Sequence, residues 1–256
     1  MNKYLMYHSI GQEAPDEIGA ELYCVQVEKF REQVAYIAGD TKTQRHKDTR
    51  SQVVTRGQRH KVTSKVVLTF DDGLLNNYTV AYPILKEHNL KAYFFIIVGK
   101  VGTAGYMNWE QIRELKDAGM IIGSHGMSHR ILTELSEQEL DFELRVSKKF
   151  LQEYLGDKIE FLSIPRGFVN KEVIEKAKEL GYKAVFTSNA KDADGFKFGR
   201  ITVKAYWGIK HFAGALDGKV PLKDRAGELV KKSSKRILGV RNYDRIRTSL
   251  LGKRNV

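Results

Sequence analysis

The chain has 256 residues, 42% of them hydrophobic, with one cysteine and a formal net charge of +12 from 43 basic and 31 acidic side chains. This excludes a disordered chain, a disulfide framework and a Cys-rich zinc site, and it leaves room for one large domain or two small ones around a sizeable core. No apolar run approaches the roughly 20 residues needed to span a bilayer, and the opening MNKYLMYHSI lacks the apolar core of a secretory signal, so the expectation is a cytoplasmic protein.

In chain order, Lys3 to His8 reads as a strand and Val27 to Ala38 as an amphipathic helix. Residues 41–65 break the periodicity: eight Lys/Arg against one acid, net +7, read as an extended basic surface loop. From Lys65 the pattern alternates. Val66 to Phe70 is a buried strand, and Leu75 to Leu90 a helix that Pro83 should kink or delay. Ala92 to Val98 is a strand, Trp109 to Ala118 a helix, and Met120 to Ser124 a strand. Ser136 opens a helix with Glu139 completing a capping box, and Gly156 ends it. Phe161 to Ile164 is a short strand, Asn170 to Leu180 a helix closed by Gly181, and Lys183 to Thr187 and Arg200 to Val203 are strands. Strands alternating with helices at this spacing imply βα units around a parallel sheet, closed or open.

The last segment, Leu222 to Val256, carries eleven Lys/Arg and three acids, net +8. Ile237, Leu238, Val240, Tyr243, Ile246, Leu250 and Leu251 recur there at helical spacing. Such a basic amphipathic helix can pack on the body of the protein with a solvated basic rim, or lie on an anionic membrane at its inner face. The rest of the chain is slightly acidic, net −3, so the charge belongs to the two segments. A non-catalytic module that binds nucleic acid or membrane through them is the alternative of another class. No aromatic residue punctuates residues 41–65, so nucleic acid is not the expected partner.

Three polar clusters fall at the C-terminal ends of expected strands, where α/β barrels carry their active sites. The first is Thr69-Phe70-Asp71-Asp72-Gly73. Adjacent acids project in different directions, so one can bind a metal while the other handles protons; the bland alternative is a polar turn with side-chain caps. The second, Gly123-Ser124-His125-Gly126-Met127-Ser128-His129, spaces two histidines at i and i+4, on one face if the segment is a helical turn. Two His with one carboxylate form a common open-site set for a divalent ion. The third, Ser163-Ile164-Pro165-Arg166-Gly167, is a sharp turn able to aim a backbone N–H at a reacting oxygen, or simply a strand-to-helix turn.

The words TFDDG, SHGMSH and IPRG, in this order and spacing, resemble the polysaccharide deacetylase family, metal-dependent hydrolases that remove acetyl groups from N-acetylated sugars. The likeness runs from about Tyr4 to Val203, apart from residues 41–64. It implies a distorted (β/α) barrel of about seven parallel strands. It further implies that Asp71 is the general base and that Asp72, His125 and His129 hold a divalent metal, most often Zn2+, with the backbone of Arg166 facing the oxyanion. Two departures stand out. Ser163 occupies the place of the family's usual arginine, for which Arg200 is the candidate replacement, and no late motif matches the family's usual histidine. Met6-Tyr7-His8-Ser9-Ile10 resembles the N-terminal histidine motif of the circularly permuted exopolysaccharide-deacetylase branch, making His8 the candidate general acid, with His211 as the alternative. The implied organisation is a catalytic domain over residues 1–220 and a helical extension over 221–256. The implied partner is an N-acetylated polysaccharide, oligosaccharide or lipid-linked glycan, with an amidase on a non-sugar substrate as the alternative within the same chemistry.

Overall fold

A computed structural model describes residues 2–15, 20–40 and 65–219; the basic loop expected over 41–65 (apart from Lys65) and the C-terminal helix expected over 221–256 lie outside the described residues. Seven strands form a closed, all-parallel barrel: β1 (Lys3–Tyr7), β4 (Val66–Phe70), β5 (Ala92–Ile96), β6 (Ile121–Ser124), β7 (Phe161–Ser163), β8 (Ala184–Thr187) and β9 (Lys197–Thr202), which returns to β1. A separate two-stranded parallel pair, β2 (Ser9–Ile10) with β3 (Cys24–Val25), was not expected, because two residues are too few to show a period.

Side chains alternate across each strand, and the alternation divides the barrel into two shells. Leu5, Tyr7, Leu68, Phe70, Phe94, Ile96, Leu162 and Val185 point out and build the main core with the surrounding helices. Tyr4, Tyr93, Phe95, Phe161, Ala184, Phe186 and Phe198 pack together in the interior. Gly123 serves this aromatic layer: a Cβ there would lie 2.6 Å from the Phe95 ring and 2.9 Å from the Phe161 carbonyl. One step further along the strands, the same inward parity carries Thr69, Asp71, His125, Ser163 and Arg200. The barrel is therefore aromatic below and polar at its C-terminal mouth.

The helices follow the expected chemistry with two departures. α1 (Val27–Ala38) ends at Gly39 in the left-handed conformation, φ 73°. α3 (Trp109–Asp117) starts on an Asn108/Gln111 capping box, and α6 (Lys171–Glu179) on the Asn170 side chain. The helix after β4 widens into an i→i+5 turn at Asn77–Ala81 before α2 (Tyr82–Glu87). Pro83 accounts for it, since its ring crowds the carbonyl four residues back and it has no N–H to donate. The helix opened by the Ser136/Glu139 capping box is also interrupted: α4 (Glu137–Asp141) passes through a wide turn at Phe142–Val146 into α5 (Ser147–Leu155), and Gly156 closes it at φ 63°. The last helix, α7 (Ile209–Leu216), packs against α1, with the Phe212 and Tyr36 rings 6.1 Å apart. Among the described residues no helix is long and apolar enough to cross a membrane.

Candidate active site

Asp71 continues the inward parity of Thr69 and sits 2% exposed at the mouth. Arg200, on β9, reaches it past β1 with a two-point contact, Nη1 to Oδ1 at 2.6 Å and Nη2 to Oδ2 at 2.8 Å. The guanidinium also donates to Ser163 Oγ (2.8 Å), Thr69 Oγ1 (3.1 Å) and the Thr187 carbonyl (3.3 Å), while Ser163 Oγ donates to Asp71 Oδ2 at 3.1 Å. Beneath it lie the Phe95 and Phe186 rings, 5.6 and 6.0 Å from the guanidinium carbon. Burial alone would push the Asp71 carboxyl up, but the charges of Arg200, His125 and His8 outweigh it and hold it below the usual range.

Asp72 turns the other way, in the left-handed conformation at φ 75°. Its Oδ1 lies 3.4 Å from His125 Nε2 and 3.6 Å from His129 Nε2, and one ligand atom from each of the three residues falls within 4.8 Å of the others. His125 Nδ1 is 2.9 Å from the Ser163 carbonyl. A carbonyl only accepts, so Nδ1 carries a proton and Nε2 is the nitrogen that faces Asp72. Burial pushes the His129 imidazole down to about 4, neutral at pH 7 as a ligand must be. For His125 burial acts downward, but Asp71 and Asp72 override it and raise the imidazole. Both Asp72 oxygens are buried without a hydrogen-bond partner. An orphaned carboxylate facing two imidazole nitrogens fits a divalent cation.

The two histidines do not meet through a helical turn. His125 to Arg130 is irregular chain, and Gly126 (φ 78°) and His129 (φ 63°) both take the left-handed conformation. The loop folds back so that the rings lie 4.9 Å apart. A helix would need right-handed angles at both positions. Gly126 gives the first deviation without a Cβ clash, and tertiary contacts must hold the second.

His8 follows β1 at the mouth, its ring 5.1 Å from that of Tyr23 and its buried Nδ1 without a hydrogen-bond partner. Its charge acts on both Asp71 and Asp72. His211 is exposed on α7, outside the barrel. Arg166 occupies a single turn at Pro165–Gly167 with φ 59°, and its charge reaches His129. The sequence motifs include Thr69 and Ser163 but give neither a role toward Asp71, and they leave out Glu143. Ser163 was within reach, since it shares parity with the inward Phe161. Glu143 is an acid on the apolar stripe Leu140, Leu144, Leu151, where an unpaired charge should have raised a question.

The polysaccharide deacetylase family model matches residues 58–185, half of the chain. A peptidoglycan-N-acetylglucosamine deacetylase of Bacillus cereus is 30% identical over 124 residues, covering 48% of this chain and 56% of that protein. The chain spans about half the length of the curated relatives it matches. Among solved structures, the Streptococcus pyogenes deacetylase PplD in complex with acetate aligns at 25% identity and TM-score 0.68, covering 86% of this chain and 98% of that one. IcaB from Ammonifex degensii shares the fold at 23% identity and TM-score 0.64, covering 86% and 97%. With the family model spanning the two aspartates, both histidines and the Pro165 turn, the chain belongs to the polysaccharide deacetylase family.

Proposed function

We propose that the chain is a divalent-metal-dependent hydrolase that removes acetyl groups from the N-acetylated sugars of a saccharide. Zinc is the favoured ion, because two imidazoles and one carboxylate are its usual open-site set. One observation carries this reading. Asp72, His125 and His129 converge beside a second buried carboxylate, Asp71, that Arg200 holds by both oxygens.

Asp72, His125 and His129 would hold such an ion, which would supply Lewis-acid polarisation of the acetyl carbonyl and a more nucleophilic water. Asp71 is the proton acceptor. Arg200 keeps it ionised and fixes its plane, and with Ser163 also bound at Oδ2 the remaining lone pair on Oδ1 is left to take the proton of the attacking water. The backbone N–H of Arg166, presented by the turn at Pro165, is the donor for the developing oxyanion, a role independent of its side chain. His8 gives a proton to the amide nitrogen as the C–N bond breaks, so acetate and a free amine leave. The Streptococcus pyogenes deacetylase of similar fold was solved with acetate, the product of this reaction. The named peptidoglycan deacetylase relative supports a saccharide substrate over a non-sugar amide.

The test is acetate release from N-acetylglucosamine oligomers and from a panel of simple amides. Release from the sugars alone, lost to a chelator, restored by Zn2+ and abolished in Asp71→Asn, is expected. Release that survives both the chelator and the substitution overturns the proposal.

A further inference from the structure

Among the described residues, Glu143 is the only buried acidic residue besides Asp71 and Asp72, at 2% exposure. It sits in the wide turn Phe142–Val146, and its carboxylate meets three donors from one loop. Oε2 accepts the N–H of Met127 at 2.8 Å and of Ser128 at 2.9 Å, and Oε1 accepts the Ser128 hydroxyl. Burying a carboxylate is costly, and charge-assisted hydrogen bonds of this kind are what offset it.

The loop so held is the one that joins His125 to His129. Its left-handed residue His129, φ 63°, does not persist without outside constraint. Other ties flank the Glu143 contact. Ser147 Oγ donates to the Glu143 carbonyl at 2.6 Å and lies 2.8 Å from Ser124 Oγ, which accepts the Gly126 N–H at 3.1 Å. On the opposite side, the N–H groups of Val98 and Gly99 donate to the carbonyls of Gly126 (3.2 Å) and Met127 (2.9 Å). The fit is close enough that a Cβ at Gly126 would lie 3.1 Å from Glu143 Oε2. Of all these ties, only the Glu143 carboxylate gathers donors from the two residues immediately before His129.

We infer that Glu143 is a positioning residue for the ion site: by clamping Met127 and Ser128 it sets the spacing of the two imidazole nitrogens toward Asp72 without touching the ion itself. This rests on the metal-dependent reading above. Its wide helical turn is then part of the site's construction, since such turns recur where a helix must aim a side chain at a functional region.

The test is ion affinity of the purified full chain, by Co2+ titration of the visible d–d bands and by competition with a chelating dye for Zn2+. Apo-protein circular dichroism and urea midpoint serve as the check on folding. Glu143→Ala is expected to fold and to bind either ion about 10- to 100-fold more weakly, the usual cost of losing a group that orients metal ligands. Glu143→Gln, whose amide oxygen can still accept both N–H groups, is expected to recover most of that loss. A folded Glu143→Ala with wild-type affinity and an unchanged Co2+ spectrum overturns the inference. Should Glu143→Ala not fold, Glu143→Asp keeps the charge but is too short to span the gap. It is expected to weaken binding several-fold, and wild-type affinity in it overturns the inference equally. A wild-type chain that binds neither ion fails the metal reading instead.

Discussion

Arg200 and Asp71 form a buried two-point ion pair, 2.6 and 2.8 Å, although their strands, β9 and β4, are not neighbours and β1 runs between them. Both side chains point into the barrel above the aromatic layer, where each other, Ser163, Thr69 and the Thr187 carbonyl are their hydrogen-bond partners. Ser163 makes this possible: its short side chain leaves the space that the Arg200 guanidinium fills, and its hydroxyl bridges the pair.

Removing one member of such a pair leaves the other charged and buried, which costs about 3–5 kcal/mol in general. Arg200→Met is therefore expected to lower the urea-unfolding free energy by about that amount, and Asp71→Asn by a comparable one. The double variant should lose about 1–3 kcal/mol less than the sum of the singles, because the two substitutions remove one shared interaction. Strict additivity would mean that the contact contributes no coupling.

His8 offers a second test that separates proton transfer from ion binding. It stands against Tyr23 rather than among the ligand atoms of Asp72, His125 and His129. His8→Gln should lower kcat about 10²-fold or more, the usual contribution of a general acid, while Zn2+ affinity stays near that of the wild type. Loss of affinity in parallel with rate would assign His8 to the ion instead.

Gly123→Ala probes the floor of the site. The added methyl would lie 2.6 Å from the Phe95 ring, which packs beneath Arg200. Overpacking of this kind costs about 1–3 kcal/mol, so the unfolding midpoint should fall, and activity should fall with it as the guanidinium shifts. An unchanged midpoint would show that Phe95 moves aside freely.

Several of these features could be read directly along the chain. The strand at Val66–Phe70 followed by two acids, the helix caps at Ser136 and Asn170, and the closing Gly156 all obey local rules, since each depends on residues only a few positions away. The i, i+4 spacing of His125 and His129 implies a shared face only if the segment is a helical turn; the rings meet through irregular chain instead, because helical periodicity is only one way to bring two side chains together.

The sequence by itself determined the class of fold and the kinds of residue at the mouth of the barrel: strand–helix alternation dictates parallel βα units, and side-chain parity carries Asp71, His125 and Arg200 inward. Only the tertiary structure decided who meets whom. The pairing of Arg200 with Asp71 spans 129 positions, the Ser163 bridge 92, and the Glu143 clamp on Ser128 crosses from a helix to a loop. Each of these contacts is set by the register and closure of the barrel. No local pattern encodes that geometry, because it exists only once all seven strands have found their neighbours.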